Sequence, residues 1–409
     1  MVFKEDIEAA FEGQKSVLAR DFGFIKREML EIFKPSSTHV EVISGIRRSG
    51  KSTLMRQIVK KYYEKVAYFN FEDSRVFGFE VGDFSKLDDV MGEDVEAYFF
   101  DEIQNVEGWE IFVRQLHERG EKIFVTGSNA SLLSREMGTR LTGRYLSHEV
   151  FPFSYKEYLT FLGLDDSQEN FYDYVVKGGF PEFLRDQNPE ILQMLLKDIL
   201  YRDIAVRYGI KNTHVLMDIA LFLISNLGKE VSFNGIRNTF NVGSPTTVSD
   251  YLSWMEDSYL LFFLPRFSWS SKSISKNPKK VYCIDNGFAK SNSLSFTKDK
   301  GRLLENLVYL NFRKKNYKLF YFKERQECDF VVFEGSFCKW LIQVSEELHP
   351  DNRDREVAGL IEAMNFFEMD KGYIVTMTQN DQLTVNERSI IVQDVRSFFG
   401  LLHKIYFVK

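Results

Sequence analysis

Gly45 and Gly50 stand five positions apart, and Lys51 and Ser52 follow at once, in the run GIRRSGKSTL. The spacing G-x-x-x-x-G-K-S suits a loop whose backbone amides converge on phosphate at a helix start, where the partial positive charge of the helix end adds to the attraction. Lys51 would reach the outer phosphates and the Ser52 hydroxyl would hold Mg²⁺. The expected phosphate cradle is therefore Gly45, Arg47, Arg48, Ser49, Gly50, Lys51, Ser52 and Thr53. AYFFDEIQ adds a carboxylate at a strand end for a hard cation, Asp101, and a neighbour, Glu102, placed to polarise an attacking water. In VTGSNASLLS, either Ser128 or Asn129 would orient that water; the same residues also read as an ordinary helix cap. SREMGTRLTGRY offers Arg135, Arg140 and Arg144 to offset, in cis or from a neighbouring subunit, charge growing on a transferred phosphoryl group; each also reads as a solvated surface residue, and Arg144 is the one expected to act.

These residues need a frame, and the chain supplies one. HVEVIS ahead of the glycine loop reads as a strand and KSTLMRQIVKKYY behind it as a helix. Further short β-rich runs, KVAYFNF, EAYFFD, KIFVTGS and YLSHEV, alternate with helical periods such as WEIFVRQLHERG, whose Trp109, Phe112, Val113 and Leu116 share one face. Strand and helix in alternation predict an α/β core with a doubly wound, mostly parallel sheet. Before it, residues 1–37 read as an N-terminal helical segment, with FGFIKREMLEIFK ended by Pro35. After the core (38–160) come a helical region (161–209) broken at GGFPE, a helix-turn-helix pattern (210–265) with Gly243 in the turn and Pro245 at a helix start, and a second α/β unit (266–409).

Bulk composition narrows the class. A chain of 409 residues is too long for one ordinary core. With 44% hydrophobic residues it is globular, and a net charge of −6 excludes a surface that is basic throughout. Nucleic-acid contact would have to be local, and the acid-free stretch RFSWSSKSISKNPKK, with Arg266, Lys272, Lys276, Lys279 and Lys280, is where the cations gather. Three scattered cysteines suggest no disulfide framework and a reducing, cytoplasmic setting, with no leader or membrane span expected.

Taken in order, GIRRSGKSTL, FFDEIQNVEGWE, VTGSNASLLSRE, LTGRY, FPFSYKEYL, GGFPE, YRDI and VYCIDNGF resemble an archaeal and bacterial family of AAA-like P-loop ATPases related to the STAND switch ATPases, over nearly the whole chain. The resemblance implies ATP and Mg²⁺ as cofactors, Asp101 and Glu102 as the acidic pair, Ser128 and Asn129 as the sensor, Arg144 as the GR arginine, and Gly179 and Pro181 as a glycine-proline turn facing the nucleotide. It also implies a winged-helix module at 210–265 and a C-terminal restriction-endonuclease-like fold. In that fold a helix acid, a strand Asp and an E-x-K strand hold metal; here Glu305 and Asp329 fill the first two places, but Gln343 and Ser345 stand in the third, so an eroded nuclease site is expected. The partners expected are ATP, DNA, an unidentified protein and further copies of the chain. The leading expectation is a slow Mg²⁺-dependent ATPase whose nucleotide state sets the domain arrangement; the alternative is a DNA-acting protein, with residual nuclease activity, that uses ATP for control.

Overall fold

The computed structural model describes residues 1–20, 23–36, 38–92, 94–129, 143–294 and 300–406. Strands β1 (Val40–Ser44), β2 (Val66–Asn70), β3 (Ala97–Asp101), β4 (Ile123–Gly127) and β5 (Tyr145–Glu149) form one parallel sheet in the order β2-β3-β4-β1-β5. β1, β3 and β4 are buried at every position, which is why they read as unbroken apolar runs. Alternate residues serve opposite faces. Phe99 stacks on Phe124 at 4.3 Å beside Leu54, Met55 and Ile58 of the helix Lys51–Tyr62. Phe100 faces the other way, against Phe112 and Trp109 of the helix Trp109–Glu118. This is the doubly wound α/β sheet that the alternating pattern predicts. The register sets Ser44 opposite Gly127 and Asn70 opposite Asp101, so the loops after β1, β3 and β4 leave the sheet along one edge.

The N-terminal segment departs from expectation. A helix covers Lys4–Leu18, but FGFIKREMLEIFK is helical only at Met29–Ile32. The reason is local: Arg27 is drawn into the protein, where its guanidinium makes three hydrogen bonds, and its amide donates to Gln57 Oε1 at 3.0 Å.

Beyond β5, helices Tyr155–Leu162, Gln168–Lys177, Pro181–Asp186 and Glu190–Asp198 lead into a π-helical stretch, Ile199–Val206. Next come helices Thr213–Ile224, Phe233–Phe240 and Pro245–Asp257 with a small antiparallel sheet of β6 (Glu230–Val231), β7 (Leu261–Pro265) and β8 (Lys279–Cys283), ordered β6-β8-β7. Ser244 caps the last of these helices, accepting from Thr247 N at 3.0 Å, with Pro245 at its first position. β8 therefore pairs with the strands before it and not with those after.

The C-terminal sheet is mixed. Its strands are β9 (Lys318–Lys323), β10 (Glu327–Glu334), β11 (Phe337–Val344), β12 (Lys371–Thr376), β13 (Asp381–Val385) and β14 (Arg388–Asp394), in the order β13-β14-β12-β11-β10-β9. Helices Lys300–Lys314 and Pro350–Phe366 pack on it. No helix among the described residues is long and apolar enough to cross a membrane.

Candidate active site

The glycine loop leaves β1 at the shared edge. Gly50 adopts φ 95° and heads the helix Lys51–Tyr62 with no side-chain cap, so the first amides of that helix keep the unsatisfied donors that a phosphate would take. A side chain at Gly50 would also put its Cβ 2.6 Å from Arg27 Nη1. Inside the loop the Ser49 hydroxyl is buried without a hydrogen-bond partner, and Ser49 N donates to Ile46 O at 3.2 Å. Lys51 is 4% exposed; its Nζ donates to Ile46 O at 3.3 Å and sits 3.3 Å from Glu102 Oε1. Ser52 and Thr53 lie in the first helical turn.

Asp101 ends β3, fully buried, with three hydroxyls around it: Tyr68 donates at 2.8 Å, Thr126 donates closely, and Ser52 hydrogen-bonds the same carboxylate. Burial pushes the Asp101 carboxyl above its ordinary value and the charge of Glu102 adds to that, against the pull of the hydroxyls. A carboxylate and a hydroxyl side by side are the hard oxygen donors Mg²⁺ takes. Among the described residues no three or more His, Cys, Asp or Glu are placed to hold a metal by themselves. That fits an ion that completes its shell with phosphate and water.

Glu102 adopts φ 53°, and its amide donates to Thr126 Oγ1 at 2.9 Å, which turns its side chain toward the loop. Burial raises its carboxyl, but Lys51, the Gln104 amide and Arg47 outweigh burial and hold it below the usual glutamate value. Glu102 is thus ionised at neutral pH. Ser128 and Asn129 are buried just past β4, and Gln104 bridges, donating to both Glu102 and, at 3.4 Å, Ser128 Oγ. Asp101, Glu102, Ser128, Asn129 and the loop are therefore gathered at one edge.

Other expected residues are placed differently. Arg47 and Arg48 turn away from the cradle to protein carboxylates. Arg47 forms a bidentate pair with Asp203 in the π-helical stretch, at 3.0 and 3.2 Å, and reaches Glu72 at 3.0 Å. Burial would lower the Arg47 guanidinium, yet Asp203 and Glu72 raise it above its ordinary value. Arg48 meets Glu182 at 2.7 Å and Asp198 at 3.6 Å. Pro181 opens the helix that carries Glu182, so the GGFPE turn touches the loop through a carboxylate and not through the proline ring. Arg144 stands apart from the site of its own chain: it precedes β5, is exposed, and its carbonyl accepts from Val40 N at the start of β1. That is the opposite edge of a parallel sheet, about five residues or roughly 16 Å from the loop. Arg135 and Arg140 lie outside the described residues.

Sequence reasoning missed Arg27. Only 5% exposed, it donates to Glu157 Oε1 at 2.8 Å, Ser49 O at 2.7 Å and Phe151 O at 2.8 Å, bracing the back of the loop. Nothing in the spacing of residues 22–34 signals this contact, because its partners lie 22 to 130 positions away.

Burial of the Asp101 charge yields a prediction. Because its carboxyl is raised in the folded state, the native protein loses stability as pH rises from the ordinary aspartate value to the raised one. Asp101→Asn should therefore unfold at a higher temperature than wild type at pH 7, with the difference vanishing below about pH 4. The surrounding hydroxyls can rotate to accept from the amide. Thermal denaturation at pH 4 and pH 7 checks it; a lower midpoint at pH 7 would count against it.

Comparison with known proteins places this geometry. A family model for an AAA domain matches residues 37–159, and one for a domain of unknown function (DUF8612) matches residues 168–299. An uncharacterised protein of Methanocaldococcus jannaschii, MJ1544, is 35% identical over 387 residues, covering 87% of this chain and 86% of its own. An uncharacterised protein of Haemophilus influenzae is 33% identical over 338 residues, covering 76% of this chain and 84% of its own. Among solved structures, the Aeropyrum pernix ORC1 protein in complex with DNA matches at 12% identity and a TM-score of 0.33, over 70% of this chain and 91% of that one. Cdc6p from Pyrobaculum aerophilum matches at 12% identity and a TM-score of 0.30, over 68% and 97%. On the strength of the first two relatives and the AAA match, the chain belongs to a family of AAA-domain P-loop proteins shared by archaea and bacteria.

Proposed function

We propose that this protein binds ATP with Mg²⁺ at the Gly45–Thr53 loop and hydrolyses it slowly, and that nucleotide state sets the arrangement of the later domains. The observation that carries the reading is the buried Lys51–Glu102 pair, at 3.3 Å, between an uncapped helix N-terminus and the Asp101–Ser52 oxygen pair. Bound there, the triphosphate and its Mg²⁺ supply the phosphoryl group and the metal that draws off its charge. Every other part belongs to the chain. Lys51 can exchange Glu102 for phosphate oxygens, since both partners are anions at the same loop. Glu102 so released is ionised and free to take a proton from water. Gln104 ties the Glu102 carboxylate to Ser128, and Ser128 or Asn129 would orient the water. Arg144, at the far edge of its own sheet, would offset phosphoryl charge at the site of a neighbouring copy.

Coupling is supported by the contacts at the loop and at the end of β5. Arg47 and Arg48 tie the loop to Asp203, Glu182 and Asp198. Arg313 of the helix Lys300–Lys314 grips Glu149 at 2.7 and 2.9 Å, and Tyr259 OH meets Ser44 Oγ at 2.7 Å. We read 210–265 as a winged-helix module, 266–409 as a restriction-endonuclease-like domain without activity, and the setting as cytoplasmic. Calorimetric titration of the nucleotide-free chain with ATP and Mg²⁺ tests the proposal: saturable uptake is expected, and its absence from folded protein would end it.

A second reading, DNA contact with ATP as regulator, is favoured by one observation. Trp269 is 78% exposed beside the exposed Lys272 and Lys276 in the acid-free segment, an arrangement that suits stacking and phosphate contact. Binding to labelled duplex over a salt series separates it, since such a footprint gives a steep negative slope.

A further inference from the structure

Lys280 reads in sequence as one more cation of a basic stretch. In the structure it is 1% exposed, and its Nζ lies among three carboxylates of the C-terminal unit: Asp329 Oδ1 at 2.7 Å, Glu327 Oε1 at 2.8 Å and Glu305 Oε1 at 3.2 Å. Tyr282, two residues on along β8, donates to the same Glu305 oxygen at 2.7 Å. The second Asp329 oxygen accepts from Val344 N at 2.9 Å, and Gln343, which stands where the expected fold would carry an acid, donates to Glu356 at 2.6 Å. The carboxylates come from the helix Lys300–Lys314 and from β10, whereas the ammonium comes from β8 of the preceding small sheet.

The expected nuclease fold would put a divalent cation among Glu305, Asp329 and the strand of Gln343. The residues present do not fit one. Among the described residues no three acidic or imidazole donors are poised to hold a metal, and the point equidistant from these carboxylates is filled by a covalently tethered positive charge. Access is restricted on one side: a side chain at Gly228, just before β6, would put its Cβ 2.7 Å from Glu305 Oε2, so backbone lies over that acid, while Glu327 on the other side is partly exposed. We propose that Lys280 is a resident cation standing in the seat of a divalent metal, where it keeps metals out and fastens the small sheet to the C-terminal sheet. The proposal is independent of the nucleotide site.

Charge arithmetic supports it. Asp329 is buried and Glu305 and Glu327 are partly so; the Lys280 ammonium, with three donors, meets one oxygen of each, while Lys323 takes the second Glu327 oxygen at 3.1 Å. The ammonium–oxygen distances of 2.7 to 3.2 Å exceed the 2.3–2.6 Å of Ca²⁺ coordination by only about half an ångström. Removing the ammonium while keeping the carboxylates should therefore expose a seat that Ca²⁺ can occupy with small side-chain shifts.

The test is Ca²⁺ titration calorimetry on the full, nucleotide-free chain in four forms: wild type, Asp329→Asn, Lys280→Met, and Lys280→Met with Asp329→Asn. Lys280→Met keeps most of the apolar stem of the side chain and removes the terminal ammonium with its charge and donors. It is expected to gain about one equivalent of Ca²⁺ over wild type, and Asp329→Asn to abolish the gain. Folded Lys280→Met with no gain would overturn the proposal, as would wild-type uptake that Asp329→Asn alone removes. Should Lys280→Met be recovered only unfolded, refolding with and without Ca²⁺ decides: recovery that depends on the ion supports the proposal, and equal failure in both overturns it.

Discussion

Glu102→Gln is expected to slow ATP turnover by about 10²- to 10⁴-fold while ATP uptake stays at or above the wild-type level. The carboxylate is held ionised at the edge where water would sit, and glutamine cannot take a proton. Uptake should hold because the substitution also frees Lys51 from its 3.3 Å partner, leaving the ammonium wholly for phosphate. Lys51→Ala should show the opposite split, losing uptake as well as turnover, because the loop then retains only its amides. Phosphate release with Mg²⁺, measured beside binding calorimetry, separates the two. Equal rates in both variants and wild type would remove hydrolysis at this site.

The second large effect concerns Arg27. Arg27→Ala takes its ion-pair partner from Glu157, a buried carboxylate 5% exposed, and leaves the carbonyls of Ser49 and Phe151 without the guanidinium donors. Breaking a buried pair of this kind costs about 3–5 kcal/mol. Denaturant unfolding should show that loss in the transition that reports the nucleotide core, and ATP affinity should fall with it, because Ser49 is inside the loop. Arg27→Lys should restore only part, since one ammonium cannot address three acceptors in the fixed fork of a guanidinium. An unchanged midpoint for the alanine variant would show that the contacts are ornamental.

What could be read beforehand follows from how far each signal reaches along the chain. β1, β3 and β4 are buried on both faces, so five consecutive positions carry the pattern and the strands announce themselves. The glycine loop is a local spacing, and Asp101 and Glu102 are adjacent at a strand end. Arg27, Asp203 and Lys280 carry no such local mark. Arg27 and Lys280 are cations whose partners are distant carboxylates or carbonyls, Asp203 is an anion whose partner is the distant Arg47, and in sequence a buried charge looks the same as a solvated one. Arg144 shows the converse: the types around it suited the chemistry, but in a parallel sheet the position just before a strand and the position just after one lie at opposite ends. FGFIKREMLEIFK had the apolar period of a helix, and the pull of Arg27 into the core prevailed over that propensity for all but Met29–Ile32.

The π-helical winding of Ile199–Val206 bears on how Arg47 can let go. Such a stretch holds one residue more per turn than its neighbours, and relaxing to the ordinary pitch means shedding that surplus as a unit. A one-residue slip swings every downstream side chain by about 100° and advances it by about 1.5 Å. Asp203 would then face wholly away from the guanidinium instead of drifting from it by degrees. Under the proposed coupling, engagement between loop and helix would be quantised, with a held setting and a released one.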